Sequence, residues 1–354
     1  MSKISITYFQ RKPFSSGNFS LEFIFEDVRK RLHKEIEPKI KILAYQSQGL
    51  FPRLYSTIDC LFHQNTVNHV TGDTNYSGIL LSSKKTIQTI LDCGFLDNKT
   101  GIKRFILWLF WLYLPIKRAK KITTISEFVK QDILKNVKCD PDKIVVIPVA
   151  VSETFKPVPK HFNQACPKLL QIGTAPNKNI LRLIEAIKGL SCELIIIGRL
   201  SEETVTALKT AHIKYTNCFN LSEEDVYKHY IDCDILTFTS THEGFGMPII
   251  EANCVERPVI TSNVTSMPEI AHNAACLVNP FSSDAIREGL LSIINDAHYR
   301  ETLLKNGRVN RQRFNAEAIA YAYHDIYKNV LEKKPKSKHL QILRGLNFLR
   351  TTNE

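Results

Sequence analysis

The sequence predicts two doubly wound α/β domains joined by one linker, and three observations carry that prediction. Short β-branched runs alternate with segments of helical period along most of the chain, the signature of parallel βαβ units. The stretch 148–167, with prolines at 148, 157, 159 and 167, interrupts the rhythm, and the alternation then restarts. The 354 residues suffice for two domains of ~150 residues each.

In the first half, strands are expected at 4–9, 40–45, 66–70, 86–91, 122–125 and 144–147. Between the first two, Leu21, Ile24, Phe25, Val28 and Leu32 recur at helical spacing and predict one apolar helix face. After the linker, strands are expected at 168–172, 193–197, 234–239, 258–261 and 275–278, with helices between them. Leu181, Ile184 and Ile187 are expected to form the inner face of the first of these helices. A last helical pattern covers 316–331 and precedes a basic tail with an amphipathic segment at Leu340, Leu343, Leu346 and Leu349.

The composition is globular: 44% hydrophobic and 23% charged, which excludes wholesale disorder and fibrous architectures. The net charge of +12 is uneven, because residues 1–157 hold 24 basic and 14 acidic side chains. A basic half beside a nearly neutral one implies an anionic partner for the first. The nine cysteines are scattered without a C-x-x-C pair, so buried reduced thiols are expected rather than disulfides or zinc. The chain opens on a strand-like alternation without an apolar signal core, and its longest apolar run, 105–114, is too short to span a bilayer. A cytoplasmic protein is the expectation.

In open α/β sheets, ligands bind beyond the carboxyl ends of the strands. Three loops meet that condition. The run Ser240-Thr-His-Glu243-Gly244-Phe245-Gly246-Met247-Pro248-Ile-Ile-Glu251 follows a buried strand and enters a helix at Pro248. Its free backbone N–H groups would form an anion site, and Glu243 and Glu251 would border one pocket, with Glu251 on the first helical turn. A carboxylate accepts two hydroxyl hydrogens, which suits the diol edge of a sugar or ribose. The same residues would equally serve a tight turn with two solvated glutamates. In Gly173-Thr174-Ala-Pro-Asn-Lys178-Asn179, Lys178 stands at a helix entry, placed either to hold a phosphate or simply to face solvent. The third loop, around Gly17, permits close backbone approach to a diphosphate without being a G-x-G-x-x-G fingerprint.

Together these segments resemble glycosyltransferase family 4, retaining enzymes of the group 1 type with the GT-B fold. The resemblance runs through 217–230, 234–240, Glu243 to Ala252, 258–262 and Ser266-Met-Pro-Glu269. It also takes in Gly173 to Asn179 and, in the first half, Val70-Thr-Gly72-Asp73, 123–130 and 143–148. It implies two Rossmann-like domains facing across a cleft: an acceptor-binding domain at 1–157, with a C-terminal helix at 316–354 crossing back, and a donor domain at 158–315. Glu251 would then receive the ribose hydroxyls of a nucleotide-diphosphate sugar. Glu243 and the amides of Phe245, Gly246 and Met247 would hold the sugar, with Gly173, Thr174 and Gly244 lining the donor. Lys178 would neutralise the diphosphate, assisted by the backbone at Gly17, and Glu243, Lys178 and Asp92 would carry catalysis. The reaction implied is retaining hexosyl transfer to a glycan or lipid-linked acceptor in cell-surface polysaccharide synthesis. Cleft closure about the linker would accompany it.

Two departures stand out. Thr174 occupies a position where the family often has arginine. Leu91, in Thr89-Ile-Leu91-Asp92, replaces a histidine that faces the donor sugar in relatives, leaving Asp92 or His69 to cover its role. A catalytically weak or inactive protein that binds nucleotide sugar or glycan as a regulator is therefore the second expectation.

No metal or other cofactor is expected. Asp232-Cys-Asp234 lies at a strand entry, and Asp140-Pro-Asp142 reads as a turn. The run 105–114, flanked by Lys103-Arg104 and Lys117-Arg118, suits either a helix in the interface of an anionic membrane or an internal helix with solvated flanks. Nucleic acid is not expected as a partner, since no aromatic-spaced basic motif is present.

Overall fold

The computed structural model describes residues 3–13, 20–97 and 99–332. The chain divides into two compact units. The first comprises the described residues up to Ile125, Val129–Ala150 and those from Asn315 onward; the second comprises Ser126–Phe128 and Val151–Phe314. Gly17, the basic tail and the leucines at 340–349 lie outside the described residues.

The first unit holds a parallel sheet of β1 (Ile4–Gln10), β2 (Ile36–Ile42), β3 (Val67–Val70), β4 (Thr86–Thr89), β5 (Lys121–Thr124) and β6 (Ile144–Val146), in the order β2-β1-β3-β4-β5-β6. The second holds β7 (Lys168–Ile172), β8 (Glu193–Ile197), β9 (Lys214–Cys218), β10 (Ile235–Phe238), β11 (Val259–Ser262) and β12 (Cys276–Val278), in the order β12-β11-β10-β7-β8-β9. Both orders reverse direction beside the first strand of the unit. A crevice outside the carboxyl ends therefore opens between the loops after β1 and β3, and again between those after β7 and β10.

The helix Ala316–Leu331 packs on the N-terminal sheet: Ile319, Tyr323, Ile326, Tyr327 and Val330 share a core with Ile6, Tyr8, Phe25, Val67 and Ile87. A buried hydrogen-bond chain pins it. The Tyr8 hydroxyl donates to that of Tyr327 at 2.9 Å, and the Tyr327 oxygen lies 2.9 Å from His69 Nδ1. His69 Nε2 lies 2.7 Å from Thr89 Oγ1, which pairs with Thr123. Burial drives the His69 ring down to about 3, so it is neutral at physiological pH.

Three details of the fold differ from expectation. The second strand is set four residues earlier than expected: it is an edge strand on which only Ile36 is buried, and exposed Ile40 and Ile42 carried the misleading apolar signal. The edge strand β9 was not foreseen, because Lys214-Tyr-Thr-Asn-Cys contains no apolar run. Leu181 is exposed, and the helix Ile180–Ile187 buries Ile180, Leu183, Ile184, Ala186 and Ile187 instead.

The segment 101–118 is one interrupted helix, Gly101–Leu107 passing through a π-helical turn, Trp108–Tyr113, into Leu114–Arg118. Pro115 has no N–H for the carbonyl of Trp111, and the Asn75 side-chain amide donates to that oxygen instead at 2.9 Å. The C-terminal part is buried at Leu112 and Ile116, while the N-terminal part exposes Ile102, Phe105, Ile106 and Phe110.

All nine cysteines are free, five of them buried. Asp234 is buried at the foot of β10, accepting from the amides of Lys168 and Asn163, and Asp140 caps the amide of Asp142. Both are structural carboxylates. None of the helices among the described residues is long and apolar enough to cross a membrane.

Candidate functional site

The site forms where β7 and β10 end. After β7 the chain turns at Gly173 (φ 85°), makes a 3-10 turn Pro176–Lys178, and enters the next helix through Asn179 in the left-handed conformation (φ 61°). The buried Asn179 amide fixes this turn by donating to the carbonyls of Thr239 and Pro280. A Cβ on Gly173 would lie 2.9 Å from Lys178 Cε and 3.0 Å from its Cγ, so glycine is required for the lysine to fold back over the strand end. Its ammonium then lies 2.6 Å from Glu243 Oε1 and 4.8 Å from the centre of the Phe238 ring.

After β10 the chain forms the loop 239–246, which ends in Gly244-Phe-Gly246, and enters the helix Met247–Val255. The loop is held from its carbonyl side. Ser266 Oγ lies 2.6 Å from the Phe245 carbonyl oxygen and 2.9 Å from that of Glu243, while the buried Phe245 ring packs edge-on against Phe314. Asn177 Nδ2 donates to the His242 carbonyl and reaches Glu243 Oε1 at 3.3 Å. The amides of Gly244, Phe245, Gly246 and Met247 have no acceptor among the described residues. Gly246 (φ 122°) caps the helix without a side-chain bond. Four N–H groups at a helix N-terminus beside a lysine form a strong anion-binding arrangement. Two buried hydroxyls at the end of β10, Thr239 Oγ1 and Ser240 Oγ, also have no partner.

Glu251 stands on the second turn of this helix rather than the first, because the helix begins at Met247. The hydroxyl of buried Tyr230 donates to its Oε2 at 2.6 Å. Burial, opposed by that hydrogen bond, raises the Glu251 carboxyl to about 7. Tyr230 itself is held neutral, since burial raises its ionisation well above the ordinary phenol range.

The structure thus brings together Gly173, Lys178, Glu243, Gly244, Phe245, Gly246, Met247 and Glu251 within the second unit. Thr174 stands there too, its hydroxyl donating to the Arg199 carbonyl at 2.6 Å. Asp92 belongs to the first unit, exposed in the loop after β4, and accepts from the amide of Gly94. His69 is enclosed in the first core with both ring nitrogens engaged, so it cannot stand in for the absent family histidine. Leu91 packs against that core, its side-chain carbons next to Gly72.

Three residues of the site were not singled out from sequence. Tyr230 reaches Glu251 from the helix Glu223–Asp232, a pairing that no local spacing announces. Arg199 and Phe219 follow β8 and β9, with the guanidinium 4.8 Å over the ring in an exposed stack. Their position at the carboxyl ends of consecutive parallel strands was the available signal.

Residues 154–310 match the family model described as glycosyl transferases group 1. The O-antigen chain mannosyltransferase B of Escherichia coli is 29% identical over 242 residues, 61% of this chain and 62% of that protein's length. The capsular polysaccharide biosynthesis glycosyltransferase CapM of Staphylococcus aureus is 28% identical over 77% of this chain and 80% of its own. Among solved structures, Anabaena Alr3699/HepE in complex with UDP-glucose superposes with a TM-score of 0.74 at 14% identity, covering 92% of this chain and 99% of that one. With two doubly wound sheets, a Gly-Phe-Gly loop between Glu243 and Glu251 and these likenesses, the chain has the GT-B fold, and its residues 154–310 form a domain of the glycosyl transferases group 1 type.

Proposed function

We propose that the protein is a retaining glycosyltransferase that moves a hexosyl group from a nucleotide-diphosphate sugar to a glycan or lipid-linked acceptor in polysaccharide synthesis. The observation that carries this reading is the convergence of Lys178, Glu243, four unpartnered amides and Glu251 at the ends of β7 and β10. The mannosyltransferase and capsular roles in the relatives' names support it, as does UDP-glucose in the Anabaena structure.

In this reading Lys178 exchanges Glu243 for the diphosphate. Glu243, released, accepts hydroxyl hydrogens of the sugar while the loop amides donate to it. Glu251 takes the ribose hydroxyls, and the exposed Arg199–Phe219 stack offers a flat face for the base. Catalysis is electrostatic: fixed donors and a cation stabilise the leaving nucleoside diphosphate as the anomeric carbon gains oxocarbenium character, without a metal. The second unit takes the donor and the first takes the acceptor. The first also makes peripheral contact with an anionic membrane, as its exposed apolar residues at 102–110 and its cationic flanks suggest.

The test is transfer from labelled UDP-, GDP- and ADP-hexoses to membrane-extracted and soluble glycan acceptors, with the product anomer read by NMR. Transfer with retention, lost in Lys178→Gln, supports the assignment; inversion refutes it. A second reading, nucleotide-sugar binding without turnover, rests on Leu91, an apolar side chain where the family resemblance implies a histidine. Retained donor binding with no transfer to any acceptor would favour it.

A further inference from the structure

The first unit brings together three side chains able to ligate a metal: His33 and Glu35 in the turn before β2, and His324 on the helix Ala316–Leu331. The helix Ser20–Arg31 ends just before His33 and β2 begins at Ile36, so the first two sit on one short connection. The third comes from the far end of the chain, and no local spacing in the sequence announces the set. Three nitrogens converge on Glu35 Oε1: Lys328 Nζ at 2.5 Å, His324 Nε2 at 2.6 Å and His33 Nδ1 at 3.6 Å. The other carboxylate oxygen, Oε2, has no partner among the described residues. The two imidazole centroids lie 5.8 Å apart.

These groups are held to different degrees. The His324 side chain is only 11% exposed and its ring lies against Tyr321, with centroids 6.0 Å apart, so packing sets its direction. Glu35 is 23% exposed, whereas His33 is 69% exposed and free to turn toward the carboxylate. Lys328 supplies the cation that now faces Glu35, and at 43% exposure it stands on a flexible stem at the edge of the cluster. Its ammonium is strongly hydrated, so water can take it back readily when a better cation replaces it.

We infer that His33, Glu35 and His324 bind a divalent cation of the zinc type, which displaces Lys328 from the carboxylate and clamps the final helix to the turn before β2. Two imidazoles and one carboxylate suit zinc or cobalt, whereas calcium and magnesium take oxygen donors. The three donor atoms lie within 4.8 Å of one another, and ligands around tetrahedral zinc stand about 3.4 Å apart, so shifts of about 1 Å complete the set. His324 ligates through Nε2 as the tautomer protonated at Nδ1, and water takes the fourth position. The ion has no part in sugar transfer: its ligands all belong to the first unit, and the donor loops belong to the second.

The test is titration of the chelator-stripped full chain with zinc chloride by calorimetry and with cobalt chloride by visible absorption, comparing His33→Ala, His324→Gln and Lys328→Gln. One equivalent of either ion should bind and raise the unfolding temperature, and magnesium should do neither. The first equivalent of cobalt should give the bands of nitrogen and oxygen ligation, without the sulfur charge-transfer absorption that the partly exposed cysteines would produce. Each histidine variant should lose more than about tenfold in affinity. His33→Ala keeps the test falsifiable should His324→Gln disturb packing, because the His33 side chain is largely in solvent. Lys328→Gln should bind zinc more tightly than wild type, since the competing ammonium is gone; a salt bridge with no metal role predicts only lower stability. Absence of a stoichiometric equivalent, equal affinity in wild type and both histidine variants, weaker binding in Lys328→Gln, or sulfur ligation of the first cobalt would overturn the assignment.

Discussion

Glu251 makes donor binding depend on pH in a calculable way. Its carboxyl is raised from 4.5 to about 7, chiefly by burial. Ribose hydroxyls are donors, so the bound state needs the carboxylate, and the fraction of protein ready to bind is roughly a tenth at pH 6 and nine tenths at pH 8. Apparent affinity should therefore rise about tenfold across that interval. The sign for stability is opposite. A carboxyl raised in the folded state contributes stability that is fully present below 4.5 and lost as pH rises through about 7. The upper limit of that loss is ~3 kcal/mol. Glu251→Gln keeps the shape and can still accept from Tyr230, but it cannot ionise. It should denature later than wild type at pH 8 and alongside it near pH 4.5. Calorimetric titration of a nucleoside diphosphate at pH 6, 7 and 8 supplies the binding arm, and the nucleotide's own phosphate ionisation is common to both proteins. An affinity ratio between pH 6 and pH 8 equal in wild type and variant would refute the role given to Glu251.

Other outcomes follow from the same geometry. Gly173→Ala puts a methyl against the Lys178 chain at positive φ, so it should cost about 1 kcal/mol or more in chemical denaturation and depress transfer beyond that loss. Lys178→Gln should lower kcat by roughly 10²–10³, as does removal of one oxyanion donor elsewhere, with circular dichroism unchanged. Tyr327→Phe leaves the Tyr8 hydroxyl and His69 Nδ1 without their shared partner, and calorimetric unfolding should show a loss of about 1–3 kcal/mol. Glu35 is held down to about 2 by hydrogen bonds from Lys328 and His324. Its contribution is therefore present above its ordinary 4.5 and lost as pH falls toward 2, and Glu35→Gln should flatten the acid limb of the stability curve.

The parts of this protein that are legible in sequence are those encoded by contiguous residues. The helix Ala316–Leu331 and the strands β7 and β8 occupy their expected residues because uninterrupted apolar patterns define them. The Glu243-Gly-Phe-Gly loop is legible because one strand–turn–helix unit contains it. What escapes is what tertiary packing decides. Tyr230 meets Glu251 only because two helices flank β10, and β2 exposes isoleucines that a core strand would bury. His69 illustrates the converse. Its chemistry suggested a candidate for the missing histidine, and the fold instead seals it under Tyr327, where neutrality is enforced.

The central claim is that the ends of β7 and β10 bind a nucleoside diphosphate through Lys178, the loop amides and Glu251. Its most direct test is thermal unfolding with UDP, GDP and ADP, with Glu251→Ala as control. At a hundredfold excess over the dissociation constant, a ligand bound only to the folded state adds about 2.7 kcal/mol. The account predicts such a shift for one base in the wild type and its loss in the variant. No shift with any of the three, or an equal shift in both proteins, would contradict it.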